Sequence, residues 1–353
     1  MFMASRAVFS VALGAITLLS GCSAFRNYDS ELAQTNQQLA SGNVDAALTL
    51  LEKNNTSQDK DLLYYFEKGE LLRAKGDLSG SQIAWTSADQ QVGQWEDAVK
   101  LDTAKYLAQF GSFLVNDKVR RYEGYDYEKV MLTTQMALNL LAVNDFDGAR
   151  TQIKKTHERE AVIADLRDKE YLKREEDAEK QGVKTEYKDL KGYPVASLDA
   201  PEVVSLKNSY QSAFSHYLAG FVYEALGEKD LAAPGYRKAA ELRPNTPLLE
   251  QALLNLDKPA KNDDSDILIV VQSGLAPSRD SIRIPLPLPI SGNLVITPLS
   301  FPLIKPDTST ATFAQIGVDG RQLDLTQLNS TTAMSRRALR DDMPGIILRT
   351  TWV

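Results

Sequence analysis

The sequence predicts a mainly α-helical protein, built as a solenoid of paired helices and followed by a small β-rich C-terminal domain. Two observations predict this fold class. Four turns of the same composition recur at regular spacing within residues 28–256. Near residue 257 the composition then changes, and eight of the chain's 14 prolines lie between Pro259 and Pro306. At 353 residues with 43% hydrophobic and 25% charged residues, the chain is ordinary globular protein of about two domains.

The four turns share a Gly or Asn, then an acidic residue, then small residues that open a second helix. They begin at Gly42, Gly76, Asn144 and Gly227. Gly and Asn tolerate the left-handed conformation that ends a helix before a tight reversal, and the acidic residues favour the dipole of the next helix. Gly42 and Gly76 are 34 residues apart, and Gly76 and Asn144 are 68, twice that spacing. A 34-residue helix–turn–helix period is typical of tetratricopeptide repeats.

The last repeat matches this pattern best, and the second keeps part of it. The matching residues of the last copy are Ala219, Gly220, Tyr223, Ala232, Tyr236, Ala239 and Pro244, and those of the second are Gly69, Leu72, Trp85 and Ala88. Small residues where two helices cross allow their backbones to approach, and the aromatic rings fill the groove between the helices. We therefore expect a tetratricopeptide-like helical domain over residues 22–256.

Two inserts interrupt the predicted array, at residues 90–127 and 150–202. The first should hold a further helix pair, and Gly and Pro residues predict a loop over 182–202. Residues 150–191 contain 12 basic and 11 acidic side chains. Acid-before-base pairs four residues apart, such as Asp165 with Lys169 and Glu170 with Arg174, support a solvent-exposed extended helix. A partner-binding arm is the alternative interpretation of this helix.

A β-rich domain is predicted from residue 262 to 353. Ile267–Val271 is a continuous apolar run suited to a buried strand. Asp319-Gly320 lies between two β-type runs and predicts a hairpin. The alternating prolines of residues 285–289 cannot donate to a ladder, so they predict an edge strand or an extended connector. Residues 329–342 are typical of a helix.

The only cysteine follows an N-terminal apolar run that is too short to span a bilayer. The run fits a secretory signal peptide, and Leu19-Ser20-Gly21-Cys22 resembles the bacterial lipobox. The resemblance implies removal of residues 1–21 and acylation of Cys22 by chains such as palmitate, several of which anchor a protein to a membrane. Ser23, where a retention signal would have Asp, resembles the sorting pattern of outer-membrane lipoproteins of Gram-negative bacteria.

Composition argues against several other classes of protein. A formal charge of −7 argues against binding to nucleic acid through its phosphates. One cysteine and two histidines leave little for a metal centre. His157 belongs to the charged helix and is expected to be solvated, and His216 is expected to pack within the last repeat. We find no catalytic motif, and we predict a protein without enzymatic activity, cofactor or metal.

The segment 116–128 is the best candidate for binding a partner. Tyrosine and arginine are the residue types most enriched at interface anchors. The candidate residues are Asn116, Asp117, Arg120, Arg121, Tyr122, Tyr125 and Tyr127. The alternative is that the tyrosines fill a junction between irregular repeats, while Asn116 and Asp117 cap a helix or shape a turn.

Two stretches carry a family resemblance. They are Asn116-Asp117 with Tyr122-Glu123-Gly124 and Tyr127-Glu128-Lys129-Val130, and Gln272-Ser273-Gly274-Leu275-Ala276-Pro277 with the Ile/Pro-rich run after it. They resemble a poorly characterised family of proteobacterial lipoproteins that contain tetratricopeptide repeats. The resemblance covers most of the mature chain and implies no particular activity. Members often accompany a penicillin-binding-protein activator lipoprotein, and they continue past Met343-Pro344-Gly345, which implies a shortened β domain here.

The predicted function is that of a non-enzymatic adaptor or scaffold, lipid-anchored on the periplasmic face of the outer membrane. Its expected partners are the membrane and an envelope protein or peptide, with cell-wall or peptidoglycan assembly as the process that the resemblance implies. Two alternatives remain open at this stage. One is a protein that binds peptidoglycan or acts on it as an enzyme, through carboxylates of residues 95–130. The other is an assembly factor for a secretion system or a surface appendage.

Overall fold

A computed structural model describes residues 28–112, 122–181, 187–258, 266–290, 293–311 and 313–350. The protein is mostly helical, with tetratricopeptide-like helix pairs and a small C-terminal region that contains two antiparallel sheets. The predicted signal segment, Cys22 and four candidate residues of the segment 116–128 lie outside the described residues. These are residues 1–21 with Cys22, and Asn116, Asp117, Arg120 and Arg121.

The helical part consists of consecutive antiparallel pairs. In chain order its helices are α1 (Tyr28–Ala40), α2 (Val44–Asn54), α3 (Leu62–Ala74), α4 (Leu78–Leu101), α5 (Thr103–Ser112), α6 (Asp126–Ala142), α7 (Phe146–Gln181), α8 (Pro201–Val204), α9 (Ala213–Ala225), α10 (Lys229–Leu242) and α11 (Pro247–Asn255). The repeat pairs are α1 with α2, α3 with α4, α6 with α7, and α9 with α10. We call the surface formed by α1, α3, α6 and α9, the first helix of each pair, the first-helix face.

The four predicted turns have the backbone that the sequence requires. Their left-handed residues are Gly42 (φ 79°), Gly76 (φ 88°), Asn144 (φ 63°) and Gly227 (φ 76°). In two of the turns an aspartate caps the second helix. The Asp77 carboxylate accepts a hydrogen bond from the Gly80 N–H, and that of Asp145 from the Gly148 N–H, both at 2.8 Å. These caps satisfy amide groups that a helix start leaves without partners.

In two of the helix pairs, a glycine lies where the two helices of the pair cross. A Cβ added to Gly69 would lie 2.2 Å from the Trp85 ring, and one added to Gly220 would lie 2.4 Å from the Tyr236 ring. Trp85 and Tyr236 are both buried. The prediction that small residues admit aromatic rings at these crossings is therefore confirmed in the second and the last pair.

The long charged helix α7 is less solvated than predicted. The pairs Asp165–Lys169 and Glu170–Arg174 form as expected. However, Arg159, Glu160 and Glu170 are buried. The expectation of a solvated helix with only a narrow apolar stripe was wrong for these residues. Arg159 and Glu160 face partners on neighbouring helices, and Glu170 is paired with Arg167 and Arg174 of α7 itself.

Within its described residues, the C-terminal region contains two antiparallel hairpins and one helix. Strands β1 (Ser278–Ile290) and β2 (Asn293–Lys305) form a long antiparallel ribbon, and β3 (Gln315–Val318) and β4 (Arg321–Asp324) form a short hairpin. Helix α12 (Thr331–Thr350) follows. Asp319 (φ 49°) and Gly320 (φ 75°) both have positive φ at the tip of the short hairpin, as its sequence predicts. The proline-rich run is an edge strand, since each strand of a two-stranded ribbon is an edge.

The core of this region is shared with the second predicted insert. Side chains of β1, β2 and α12, among them Ile284, Phe301 and Leu339, pack with residues that precede α8. Those residues are Tyr187, Leu190, Tyr193 and Leu198. The stretch predicted as a loop over residues 182–202 contains short 3₁₀ turns, at Tyr187–Asp189 and Val195–Ser197, and it supplies apolar side chains to the ribbon.

The prediction of a buried strand at Ile267–Val271 is wrong. In the structure this run has no regular secondary structure and pairs with no strand of the described chain. Ile267 is 81% exposed, Ile269 42% and Val271 57%. A continuous apolar run fits a strand that is covered on two faces, whereas here only one side of the run contacts the protein.

Candidate interaction site

The described part of the predicted partner-binding segment leads into α6. Tyr122 and Tyr125 are half-buried, and Tyr127 in the first turn of α6 is buried. Gly124, between them, has a φ of 73°, and a Cβ there would lie 3.0 Å from Leu62 on α3. The segment therefore lies against the second helix pair and enters the third.

The three tyrosine rings form one aromatic group. The rings of Tyr122 and Tyr125 meet edge to face with centroids 6.1 Å apart, and those of Tyr125 and Tyr127 are stacked at 5.8 Å. Both arrangements are favourable for aromatic quadrupoles. The Tyr125 ring thus packs on the rings of both Tyr122 and Tyr127, and a change in its position would disturb both contacts.

The C-terminal region contacts this aromatic group from two elements. Arg279 of β1 donates a hydrogen bond to the Tyr125 hydroxyl at 2.6 Å, and its guanidinium lies 4.7 Å from the centre of the Tyr125 ring. Ser335 of α12 interacts with the Tyr127 hydroxyl and lowers its pKa, although burial raises that pKa overall. We call Tyr122, Tyr125, Tyr127, Glu128 and Arg279 the tyrosine junction, since they join the helix pairs to the C-terminal region.

Glu128 is the acidic member of the junction. Its carboxylate accepts hydrogen bonds from the Tyr122 hydroxyl and, at 2.7 Å, from the Tyr125 backbone N–H. Burial raises the pKa of Glu128 above its ordinary value despite these donors. Burial and the nearby Glu128 charge also raise the pKa of Tyr122 and of Tyr127. The hydroxyls therefore stay protonated and act as donors.

A second carboxyl lies near the junction on the first-helix face. Burial, followed by the charges of Glu128 and Glu70, raises the pKa of Glu67 to about 7. Glu67 on α3 is thus close enough to Glu128 on α6 for the two charges to repel.

Beneath the tyrosines lies a buried ionic group. Asp126 and Lys129 are both 4% exposed, with 3.7 Å between carboxylate oxygen and ammonium nitrogen, and Arg167 of α7 also binds Asp126. Burial alone raises the pKa of Asp126, but Arg167 and Lys129 outweigh it and hold that pKa below its ordinary value. Lys129 also lies 4.1 Å from the centre of the Trp95 ring, and burial lowers its pKa.

A related ionic group connects α7 to α4. Arg159 is 3% exposed and binds Asp89 at 2.8 Å, Glu96, and the Lys129 carbonyl oxygen at 2.9 Å. Lys155 adds a second cation to Asp89. Burial alone raises the pKa of Asp89, yet the hydrogen bonds and charges of the two cations lower it overall. These contacts fix the second and third helix pairs to one another.

The two histidines lie together, contrary to the expectation for His157. Their rings are stacked with centroids 5.0 Å apart, and His216 Nε2 lies 3.0 Å from Glu160. His157 is half-buried instead of solvated because α9 packs against this part of α7. Burial first, and then His216, lowers the pKa of His157. In the described part of the chain, no group of three or more His, Cys, Asp and Glu is placed to hold a metal ion.

The sequence predicts the three tyrosines as candidate site residues, but it does not predict Glu128 or Arg279. Arg279 is 154 residues from Tyr125, and nothing in its own strand marks it. The capping position of Glu128, three residues after Tyr125, is a signal that could have found it. The tyrosines make the contacts of a structural junction. Tyr122 and Tyr125 are also partly exposed, and their role in binding a partner stays a prediction.

Among the described helices, none combines the length and apolarity needed to cross a membrane.

We found no protein-family model and no curated protein that matches the sequence. Among solved structures, the chain is similar to the TPR2AB-domain:pHSP90 complex of yeast Sti1, with 16% identity, 65% of this chain and 82% of that chain covered, and a TM-score of 0.27. It is also similar to a thermophilic TPR protein of Thermus thermophilus (17% identity, 65% and 97% covered, TM-score 0.25) and to BtubC from P. vanneervenii (13%, 74% and 90%, TM-score 0.26). The helix pairs and turns described above identify the helical part as tetratricopeptide-like.

Proposed function

We propose that the protein is a lipid-anchored adaptor on the periplasmic face of the outer membrane, where its first-helix face holds an envelope protein or peptide. The observation that carries this proposal is the row of stacked helix pairs. Such an array offers an extended surface along several repeats, and a surface of this kind suits recognition of another polypeptide. Cell-envelope assembly is the process that we favour, on the resemblance of residues 116–130 and 272–277.

The anchor in this proposal rests on the sequence around Cys22. Acylation there would attach residues 23–353 to a membrane, and several acyl chains suffice for stable anchoring where one does not. We expect a clickable palmitate analogue to label the protein in Gram-negative cells and the Cys22→Ser variant to remain unlabelled. Equal labelling of both proteins, or none of either, would rule out the anchor.

The adaptor role is tested with residues 23–353 carrying a C-terminal tag. Chemical crosslinking in an envelope extract should capture a defined protein, and capture should weaken when Glu70 on the first-helix face is replaced by Lys. The matched control is Ile83→Lys, an exposed position on the second helix of the same pair. Equal capture by both variants and the unchanged chain would contradict the role assigned to the first-helix face.

The same protein distinguishes the adaptor from a protein that acts on the cell wall. Incubation with purified peptidoglycan should neither release soluble fragments nor sediment most of the chain. Fragment release would favour an enzyme. Sedimentation without release would favour a glycan-binding protein, and either result would replace the adaptor as the leading function.

A further inference from the structure

The last two repeat pairs carry an apolar surface on the first-helix face. Tyr217 and Phe221, one helical turn apart on α9, are half-buried there, as is Leu138 on α6. They pack on the buried core that α6, α7, α9 and α10 share. The Tyr217 ring also lies 5.5 Å from that of Tyr236, centre to centre. We call Leu138, Tyr217 and Phe221 the apolar seat.

A stretch of the chain's own C-terminal region packs on this core. Leu268 contacts the same apolar cluster, and the charge of Asp266, after burial and Glu224, contributes to raising the pKa of Tyr217. Exposed and half-buried side chains alternate along residues 267–271, as they do in an extended chain. Leu268 and Val270 are half-buried, whereas Ile267 is 81% exposed. The segment thus binds through one row of side chains only.

Residues after 271 make more hydrogen bonds to the rest of the protein than residues 266–271 do. The Ala311 N–H donates to Ser273 Oγ at 2.9 Å, and the Leu275 N–H donates to the Asp307 carboxylate at 2.9 Å. Arg279 then binds Tyr125 in the tyrosine junction. Residues 266–271, in contrast, pair with no strand of the described chain. They therefore can leave the surface without disturbing the ribbon that follows.

These contacts describe a surface that accepts an extended aliphatic segment and holds it through side chains. We propose that the apolar seat is a binding site for a partner's extended segment that has an acidic residue followed by aliphatic residues at alternate positions, and that Asp266–Val271 is its internal competitor. The proposal rests on the adaptor function and adds its regulation. A partner of this chemistry must displace residues 266–271 before it occupies the seat.

The test uses a fluorescent peptide with the sequence of residues 266–272 and residues 23–353 as the receptor. Leu268→Asp should release the internal segment, whereas Ile267→Asp changes a side chain that already points to water. If the segment occupies the seat about nine-tenths of the time, releasing it raises the apparent affinity for the peptide about tenfold. We expect this increase with Leu268→Asp, and affinity like that of the unchanged chain with Ile267→Asp.

Two further measurements keep the result specific. A peptide with Asp at the position of Leu268 should not bind any receptor. Limited proteolysis with thermolysin should cut residues 266–271 faster in Leu268→Asp than in the unchanged chain. Hydrogen exchange in α9 should stay unchanged, which shows that the helices remain folded. Equal affinity of the two variants, or no binding to a folded Leu268→Asp receptor, would overturn the internal competitor. Capture of an envelope protein by the unchanged chain would then still support the adaptor.

Discussion

Replacing Gly220 by Ala tests the helix crossing on which the tetratricopeptide-like packing depends. The new Cβ would lie 2.4 Å and 2.5 Å from two ring carbons of Tyr236. That ring is 2% exposed, and its hydroxyl donates to Glu224. Neither the ring nor α10 can retreat without opening the core that the two helices share.

The magnitude follows from two opposing effects. Overpacking a core typically costs about 1–3 kcal/mol, and Ala in a helix is about 1 kcal/mol more favourable than Gly. Because the overlap here is severe, we take the upper part of the first range and expect a net loss of about 1–2 kcal/mol in the free energy of unfolding. Gly93 is the matched control, since it lies inside α4 and a Cβ there meets nothing within 4 Å. Gly93→Ala should therefore stabilise the protein by about 0.5–1 kcal/mol.

Urea unfolding followed by circular dichroism measures both variants against the unchanged chain. The reasoning predicts opposite signs for two substitutions of the same chemical type in helices of the same fold. If both variants were stabilised, or both were destabilised equally, the close approach of α9 and α10 at Gly220 would be refuted.

Three further predictions concern the tyrosine junction and its surroundings. Asp126→Asn leaves the buried ammonium of Lys129 with less opposite charge and should cost about 3–5 kcal/mol in the free energy of unfolding, measured in urea. Because the pKa of Asp126 is lowered, its contribution to stability is present above about pH 4 and is lost on acidification. The variant should therefore lose less stability than the unchanged chain when the pH is lowered. Glu67, with a raised pKa of about 7, costs stability as the pH rises from about 4.5 to 7, so Glu67→Gln should be about 1–2 kcal/mol more stable at pH 8 and unchanged at pH 4. Arg279→Met removes a charged hydrogen bond to Tyr125 and should cost about 1–2 kcal/mol, with faster amide exchange in β1 than in α9.

The helix pairs were predictable because their determinants are local. Gly76 and Asn144 end helices through their own conformational freedom, and Asp77 and Asp145 cap the next helix three residues further on. Such signals lie within one turn of chain. The Asp319-Gly320 hairpin is local in the same sense, and its prediction was confirmed.

Contacts between distant residues could not be predicted in this way. In the sequence, nothing distinguishes Arg159 from the other charged residues of α7. Its burial depends on Asp89 and Glu96, which lie more than 60 residues earlier. The run Ile267–Val271 fits a strand by composition, but a strand needs a partner, and the segment packs on helices instead. In the candidate site, Tyr122 was predicted from its residue type, whereas only the fold brings Arg279 to the junction.

In-cell photo-crosslinking tests the adaptor function most directly. A photoreactive amino acid placed at Glu70, on the first-helix face, should give a defined adduct with one envelope protein. The same amino acid at Ile83, which is 67% exposed on the second helix of the same pair, should not. Introducing Cys22→Ser should weaken the Glu70 adduct, because the chain is then no longer held at the membrane. An adduct of equal yield from both positions, or no adduct from Glu70 in the acylated protein, would contradict the proposal of a lipid-anchored adaptor.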